Sequence, residues 1–286
     1  MSRELRQIKH VALDLDGTVY KGGRLFDCSV PFLRQIERLG IGRTFLTNNS
    51  SRGRADYVRH LNAMGIEAKA GDVFTSADAT VEFMREAMPD RRRLFLLGTD
   101  SLGEDLVSQG FELTEDSADD VPDAVVVAFD TDLRYARLCR AAYWIQEGKP
   151  FIATHPDLVC PTNERTVLVD CGAITKALVA ATGIEPLAVP GKPHARMLAG
   201  IINQRGLAPG ELAMVGDRIY TDMAMARRAG GLGVLVLSGE ANLQDAQDAA
   251  KRIDLVVADL GEFGQLLENA KLKKEPVDFT EGNEGN

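Results

Sequence analysis

No two of the four cysteines, Cys28, Cys139, Cys160 and Cys171, stand in a CxxC spacing, and none belongs to a dense framework. Structural zinc and a disulfide-stapled fold are therefore not expected, and reduced thiols in a cytoplasmic protein are. Long apolar runs are missing too: stretches such as AVVVAF at 124–129 fall far short of a membrane span. Positive charge is in deficit, with 33 Lys and Arg against 42 Asp and Glu and a net charge of −9. That balance argues against nucleic acid or an anionic membrane as a general partner, because phosphates are repelled on average. The opening MSRELRQIKH is not followed by an apolar h-region, so it does not read as a signal peptide. A GxGxxG dinucleotide fingerprint is also lacking, since GGLGV at 230–234 reads as a helix exit into a strand.

What is present is an ordinary globular composition, 45% hydrophobic and 26% charged, over 286 residues, a length that favours two domains. Apolar segments of strand length alternate with amphipathic segments of helix length, the order of a doubly wound α/β parallel sheet. HVALDLD and IGRTFLTNN read as strands separated by the helix SVPFLRQIERLG, which Ser29 can cap, and ADYVRHLNAMG reads as the next helix. A second α/β unit follows, with strands expected at 92–98, 123–129, 149–154 and 165–170. The first pattern then resumes with HARMLAGIINQRG, ELAMVGD, MAMARRAGG, LGVLVL and DLVVADL. This gives a core over 1–79 and 184–270, interrupted by an α/β insertion over 80–183, and a polar tail at 271–286 expected to be disordered.

The chemistry concentrates at strand ends. In HVALDLDGT, side chains alternate, so Asp14 and Asp16 project to one side. Two close carboxylates need a cation, a shared proton or hydrogen bonds, and an oxygen-rich set suits Mg²⁺; the alternative is a pair that caps a turn. MVGDRIYTDM supplies Asp217 and Asp222 after another strand, where Asp222 or Thr221 can instead favour a helix N-terminus. FLTNNSSRG offers the Thr47 hydroxyl and the amides near Asn48 and Asn49, and PGKPHAR presents Lys192; both suit an anion such as phosphate. In open α/β sheets such loops meet in one crevice.

In order, DLDGT (14–18), TNN (47–49), Lys192 in GKP and GDRIYTD (216–222) resemble the four motifs of the haloacid dehalogenase-like (HAD) hydrolase superfamily. The resemblance implies a doubly wound Rossmann-like core with an inserted α/β cap of the C2 type. It makes Asp14 the nucleophile that forms an aspartyl-phosphate and Asp16 the general acid and base. It has Mg²⁺ held by Asp14, the backbone carbonyl of Asp16 and Asp217, while Thr47, Asn48 and Lys192 bind the phosphoryl group; Asn49 is a further candidate beside them, and Asp222 can bind the metal through water or hold a partner in place. Asp16 points to phosphoester chemistry, since an alkoxide needs a proton to leave and a halide does not.

Only about thirty residues separate the first two motifs, while the interval from Thr47 to Lys192 must hold a whole domain of roughly a hundred residues. An insertion there looks like the subfamily of NagD, the 4-nitrophenylphosphatases and the phosphoglycolate phosphatases. ATHPD at 153–157 and DCGAITKAL at 170–178 resemble that subfamily's cap pattern, with His155 in place of the usual Asn and Val169-Asp170 in place of Pro-Gly. His155 and Asp170 can face the leaving group, where a carboxylate disfavours anions; alternatively Asp170 caps a helix and His155 completes a turn. Cys160 and Cys171 read as packing residues. The expectation is a Mg²⁺-dependent phosphatase of a small phosphorylated metabolite, such as a sugar phosphate, nucleoside monophosphate or phosphoglycolate. A phosphotransferase on the same fold is the competing reading, followed by a weakly catalytic phosphometabolite-binding regulator. A homo-oligomer built through the cap is compatible with the sequence.

Overall fold

The computed structural model describes residues 2–160, 162 and 165–272. Its larger sheet has six parallel strands in the spatial order Leu255–Val257, Leu232–Val236, Leu212–Gly216, His10–Asp14, Gly42–Thr47, Val73–Thr75. The chain starts in the middle, steps outward through Gly42–Thr47 to Val73–Thr75, and later returns to build the other half from Leu212–Gly216. The order therefore reverses between His10–Asp14 and Leu212–Gly216, and a crevice opens at the carboxyl ends of those strands.

Alternation along each strand feeds two cores. Val11, Leu13, Phe45, Val215 and Val234 face one side with Phe32 and Ile36 of the helix Ser29–Arg38 and Phe263 and Leu267 of Leu260–Leu272. Ala12, Leu46 and Met214 face the other side, against Met197, Leu198 and Ile201 of Arg196–Arg205. With both faces covered, the strands are apolar throughout, as parallel strands must be.

The second sheet, Glu112–Leu113, Arg93–Leu97, Ala124–Val127, Phe151–Ala153, is also parallel and also covered twice. Leu94, Leu96 and Val126 pack on Met84, Leu102 and Leu106, while Phe95, Val125 and Val127 pack on Trp144, Ile145, Ile174 and Leu178. The expected change of unit at residue 79 falls inside one continuous helix, Ser76–Ala87, whose Ala79 joins the first unit's core and whose Val81 and Met84 join the second's. The expected tail begins inside the helix Leu260–Leu272, and 273–286 lie outside the described residues.

Two local expectations are corrected. The 165–170 segment forms no strand of the second sheet; only Leu168–Val169 pairs, antiparallel with Val159–Cys160. Val167 and Val169 are 66% and 57% exposed, and of the segment's apolar side chains only Leu168 packs against the second unit's core. Ser29 is not the helix cap: Cys28 occupies that position, and the buried Ser29 hydroxyl donates to the Val19 carbonyl at 2.6 Å. That carbonyl lies away from water, and pairing it outranks the cap.

Among the described residues no helix is long and apolar enough to cross a membrane.

Candidate active site

Sheet register brings the motifs together. Leu13 lies opposite Val215, so Asp14 and Asp217 leave adjacent parallel strands at nearly the same level; Asp14 pairs with Leu46, one residue before Thr47. Asp14, Asp16, Thr47, Asn48, Asn49, Lys192 and Asp222 all line one cleft of about 600 Å³, open solvent included. Asp217 lies just behind it: one oxygen each from Asp14, Asp217 and Asp222 falls within 4.8 Å of the others.

Buried Lys192 forms ion pairs with Asp14 and with Asp222, the latter at 2.9 Å. Burial works against its charge, but the two carboxylates outweigh it and raise its pKa. Asp222 sits at the end of a wide π-helical turn, Ile219–Met223, is fully buried, and accepts from the Arg218 N–H at 3.2 Å. It thus holds both the backbone of its turn and the lysine. Burial pushes its pKa up to about 6, with Asp14 adding and Lys192 opposing.

Asp217 accepts the Glu240 N–H at 2.7 Å through Oδ2, while its buried Oδ1 has no hydrogen-bond partner among the described residues. Burial, then the charges of Asp14 and Asp222, push its pKa up to about 8. Gly17 makes room for it: its φ is +84°, and a Cβ there would lie 2.2 Å from Asp217 Oδ2. A three-carboxylate, all-oxygen set with an orphaned buried acceptor fits a hard divalent cation. Asp16 is exposed at the cleft mouth, yet the surrounding walls and then Asp14 raise its pKa, in the direction that favours a proton donor.

The TNN residues divide their duties. The Asn49 N–H donates to Thr47 Oγ1 at 3.2 Å, leaving the hydroxyl proton to point elsewhere, and Asn49 Oδ1 accepts from the Ser51 amide and hydroxyl. The Asn48 side chain accepts the Lys192 N–H at 2.7 Å and donates to the Lys192 carbonyl at 3.0 Å and to Asp157 Oδ2 at 3.0 Å. Its amide is a bracket that joins the lysine to the cap.

On the cap side, His155 is fully buried, with Nδ1 2.9 Å from Thr154 Oγ1 and Nε2 2.9 Å from Asp170 Oδ1. Asp170 caps the helix Cys171–Thr182, accepting the Cys171 N–H at 2.6 Å, and it also lines the cleft. Asp170 thus caps the helix and also borders the cleft, whereas His155 is enclosed behind it. Sequence reasoning gave no role to Asp157, Arg218, Tyr20 or Tyr57, all of which line the cleft. Arg218 stood inside the GDRIYTD motif and Asp157 inside ATHPD; only the aromatic pair had no local signal. Burial and the charge of Asp170 push the Cys160 thiol up to about 12, far from a nucleophile's range.

A reversed parallel sheet carrying this array at its crevice, roofed by a second α/β unit, defines a HAD-type phosphoric monoester hydrolase with a C2-type cap. The chain belongs to the haloacid dehalogenase-like hydrolases, in the subfamily of NagD and the 4-nitrophenylphosphatases. The family described as haloacid dehalogenase-like hydrolase matches residues 11–112, and a second, HAD-hydrolase-like family matches 189–263. An acid sugar phosphatase of Staphylococcus saprophyticus is 35% identical over 219 residues, 77% of this chain and 82% of that protein. The structure of a 4-nitrophenylphosphatase from Thermotoga maritima superposes with a TM-score of 0.85 at 37% identity, covering 92% of this chain and 98% of that one. A glycerol phosphate phosphatase from Mycobacterium tuberculosis, solved in complex with magnesium, gives a TM-score of 0.82 at 29% identity, covering 92% and 77%.

Proposed function

We propose that the protein hydrolyses a small phosphomonoester through an aspartyl-phosphate on Asp14, with Mg²⁺ as cofactor. The observation that carries this reading is the meeting of Asp14, Thr47, Lys192 and the orphaned Asp217 carboxylate at the sheet's reversal point. Lys192, with Thr47 beside it, binds the phosphoryl oxygens and offsets the charge that builds on them. An Asp14 oxygen attacks phosphorus as the bond to the ester oxygen breaks, and Asp16 gives that oxygen its proton. Asp16, now ionised, takes a proton from water, whose oxygen attacks phosphorus, freeing phosphate and restoring Asp14.

Asp14, the Asp16 carbonyl and Asp217 would hold the metal, with Asp222 nearby, and the ion would supply charge neutralisation between nucleophile and phosphate. The glycerol phosphate phosphatase, solved with magnesium and also with calcium, supports a divalent cation there.

The test is a phosphate-release screen over sugar phosphates, nucleotides and small phosphoacids, with and without Mg²⁺. Metal-dependent release from at least one class, lost in Asp14→Asn, is expected. Full turnover in that variant overturns the nucleophile assignment, and recovery of a phosphorylated acceptor in place of free phosphate makes the protein a phosphotransferase.

A further inference from the structure

The cleft carries five carboxylates, Asp14, Asp16, Asp157, Asp170 and Asp222, against two cations, Lys192 and Arg218. Both cations are already engaged, Lys192 with Asp14 and Asp222, and Arg218 with Glu240 at 2.9 Å. Arg52 acts at a distance on Tyr20 and Tyr57 but does not line the cleft. On the cap side the surplus is all negative, Asp157 and Asp170.

These two are fixed with respect to one another. The Gly172 N–H donates to the Asp157 carbonyl at 2.8 Å and the Asp170 N–H to the Leu158 carbonyl at 3.0 Å. A Cβ on Gly172 would lie 2.1 Å from the Pro156 carbonyl oxygen, so only glycine lets the helix start press on this turn. Asp170 Oδ1 accepts the Cys171 N–H and lies 2.9 Å from His155 Nε2, so the helix start and the imidazole both hold it in place. Asp157 is anchored to the catalytic unit through Asn48.

We propose that Asp157 and Asp170 form a leaving-group wall that selects phosphomonoesters of neutral polyhydroxy alcohols and rejects those whose alcohol carries a carboxylate. The inference rests on the phosphatase reading above and deepens it. Hydroxyl groups donate to the wall, while a second anion at the cap side of the half-buried cleft meets like charge, both cations among the described residues that line it being already paired.

Glycerol 3-phosphate and 3-phosphoglycerate test it, because they differ only in a CH₂OH replaced by a carboxylate. The quantity read is the ratio of kcat/KM for the two, in which the fraction of active enzyme cancels, with 4-nitrophenyl phosphate as a third substrate. The wild-type ratio should favour glycerol 3-phosphate by about a hundredfold, and Asp170→Asn, which keeps an acceptor for the helix start, should cut it about tenfold, as should Asp157→Asn. A wild-type ratio near one, a preference for 3-phosphoglycerate, or a ratio unmoved in both variants overturns the wall. Turnover of 4-nitrophenyl phosphate with neither glycerol 3-phosphate nor 3-phosphoglycerate accepted also overturns it. Absence of release from all three substrates overturns the phosphatase reading itself.

Discussion

Among the described residues two clusters of potential metal ligands have the same size, Asp14, Asp217 and Asp222 in the core crevice and His155, Asp157 and Asp170 in the cap; in each, the ligand atoms lie within 4.8 Å of one another. By composition and spacing either could hold a metal, yet their surroundings differ. In the cap every member has a partner: His155 Nε2 lies 2.9 Å from Asp170 Oδ1, the Cys171 N–H donates to Asp170, and Asn48 donates to Asp157. In the core, Asp217 keeps a buried oxygen unpaired, and burial among like charges drives its pKa up to about 8. One cluster has its hydrogen bonds supplied by the chain, which fixes its shape and leaves its negative charge in place, while the other keeps a buried oxygen open to a cation. The lesson is that hydrogen-bond saturation, not the count of carboxylates, separates a wall from a metal site.

That contrast can be broken by experiment, and the largest effect is expected in the core. Asp14→Asn should lower phosphate release by at least about a thousandfold with the fold intact, since it removes the attacking group and leaves only binding. Asp217→Asn should raise the Mg²⁺ concentration needed for half-maximal activity by about tenfold or more, as expected for a lost ligand. Asp170→Asn should leave that midpoint within about twofold, and an equal shift in both variants, read by Mg²⁺ titration of activity, would erase the distinction.

The joint between the clusters comes next. Asn48→Ala removes the bracket on Lys192 and Asp157, and it should cost about tenfold in kcat/KM and about 1–3 kcal/mol in stability by urea unfolding. Asp170→Ala should act mainly on stability, by about 1–2 kcal/mol, because it loses a helix cap and leaves the buried His155 Nε2 without its partner.

The smallest effect is a pH slope. An Asp217 pKa raised to about 8 means that the metal-free folded state binds a proton that the unfolded chain has released. The Asp217 contribution to the stability of the EDTA-treated protein should therefore be fullest below the ordinary carboxylate range of about 4 and be lost as pH rises toward 8. Added Mg²⁺ should flatten that decline, and the flattening should be absent in Asp217→Asn, measured by thermal unfolding across pH. An unchanged slope in Asp217→Asn without metal would assign the dependence to another group.

Much of this was legible locally. Parallel strands buried on both faces are recognisable as continuous apolar runs, and the residues that end or follow them, Asp14, Thr47 and Asp217, announce themselves by position. Register then needs no special signal, because adjacent parallel strands of similar length end at similar heights. Segments with little core contact were harder to read: 165–170 has strand-like alternation, but only Leu168 and Asp170 turn inward, and the Ser29 hydroxyl was claimed by a carbonyl ten residues away.

The sequence by itself determined the fold class, the strand-end chemistry and the insertion between Thr47 and Lys192, since these follow from periodicity and chain order. Only the tertiary structure decided which carboxylates have their hydrogen bonds supplied by the chain. Asn48 meets Lys192 across 144 residues and Asp157 across 109, and no local pattern encodes such partners. Whether a buried acid is saturated or left wanting a cation depends on what faces it in space, and that is settled only when the two sheets and the turns between them have packed.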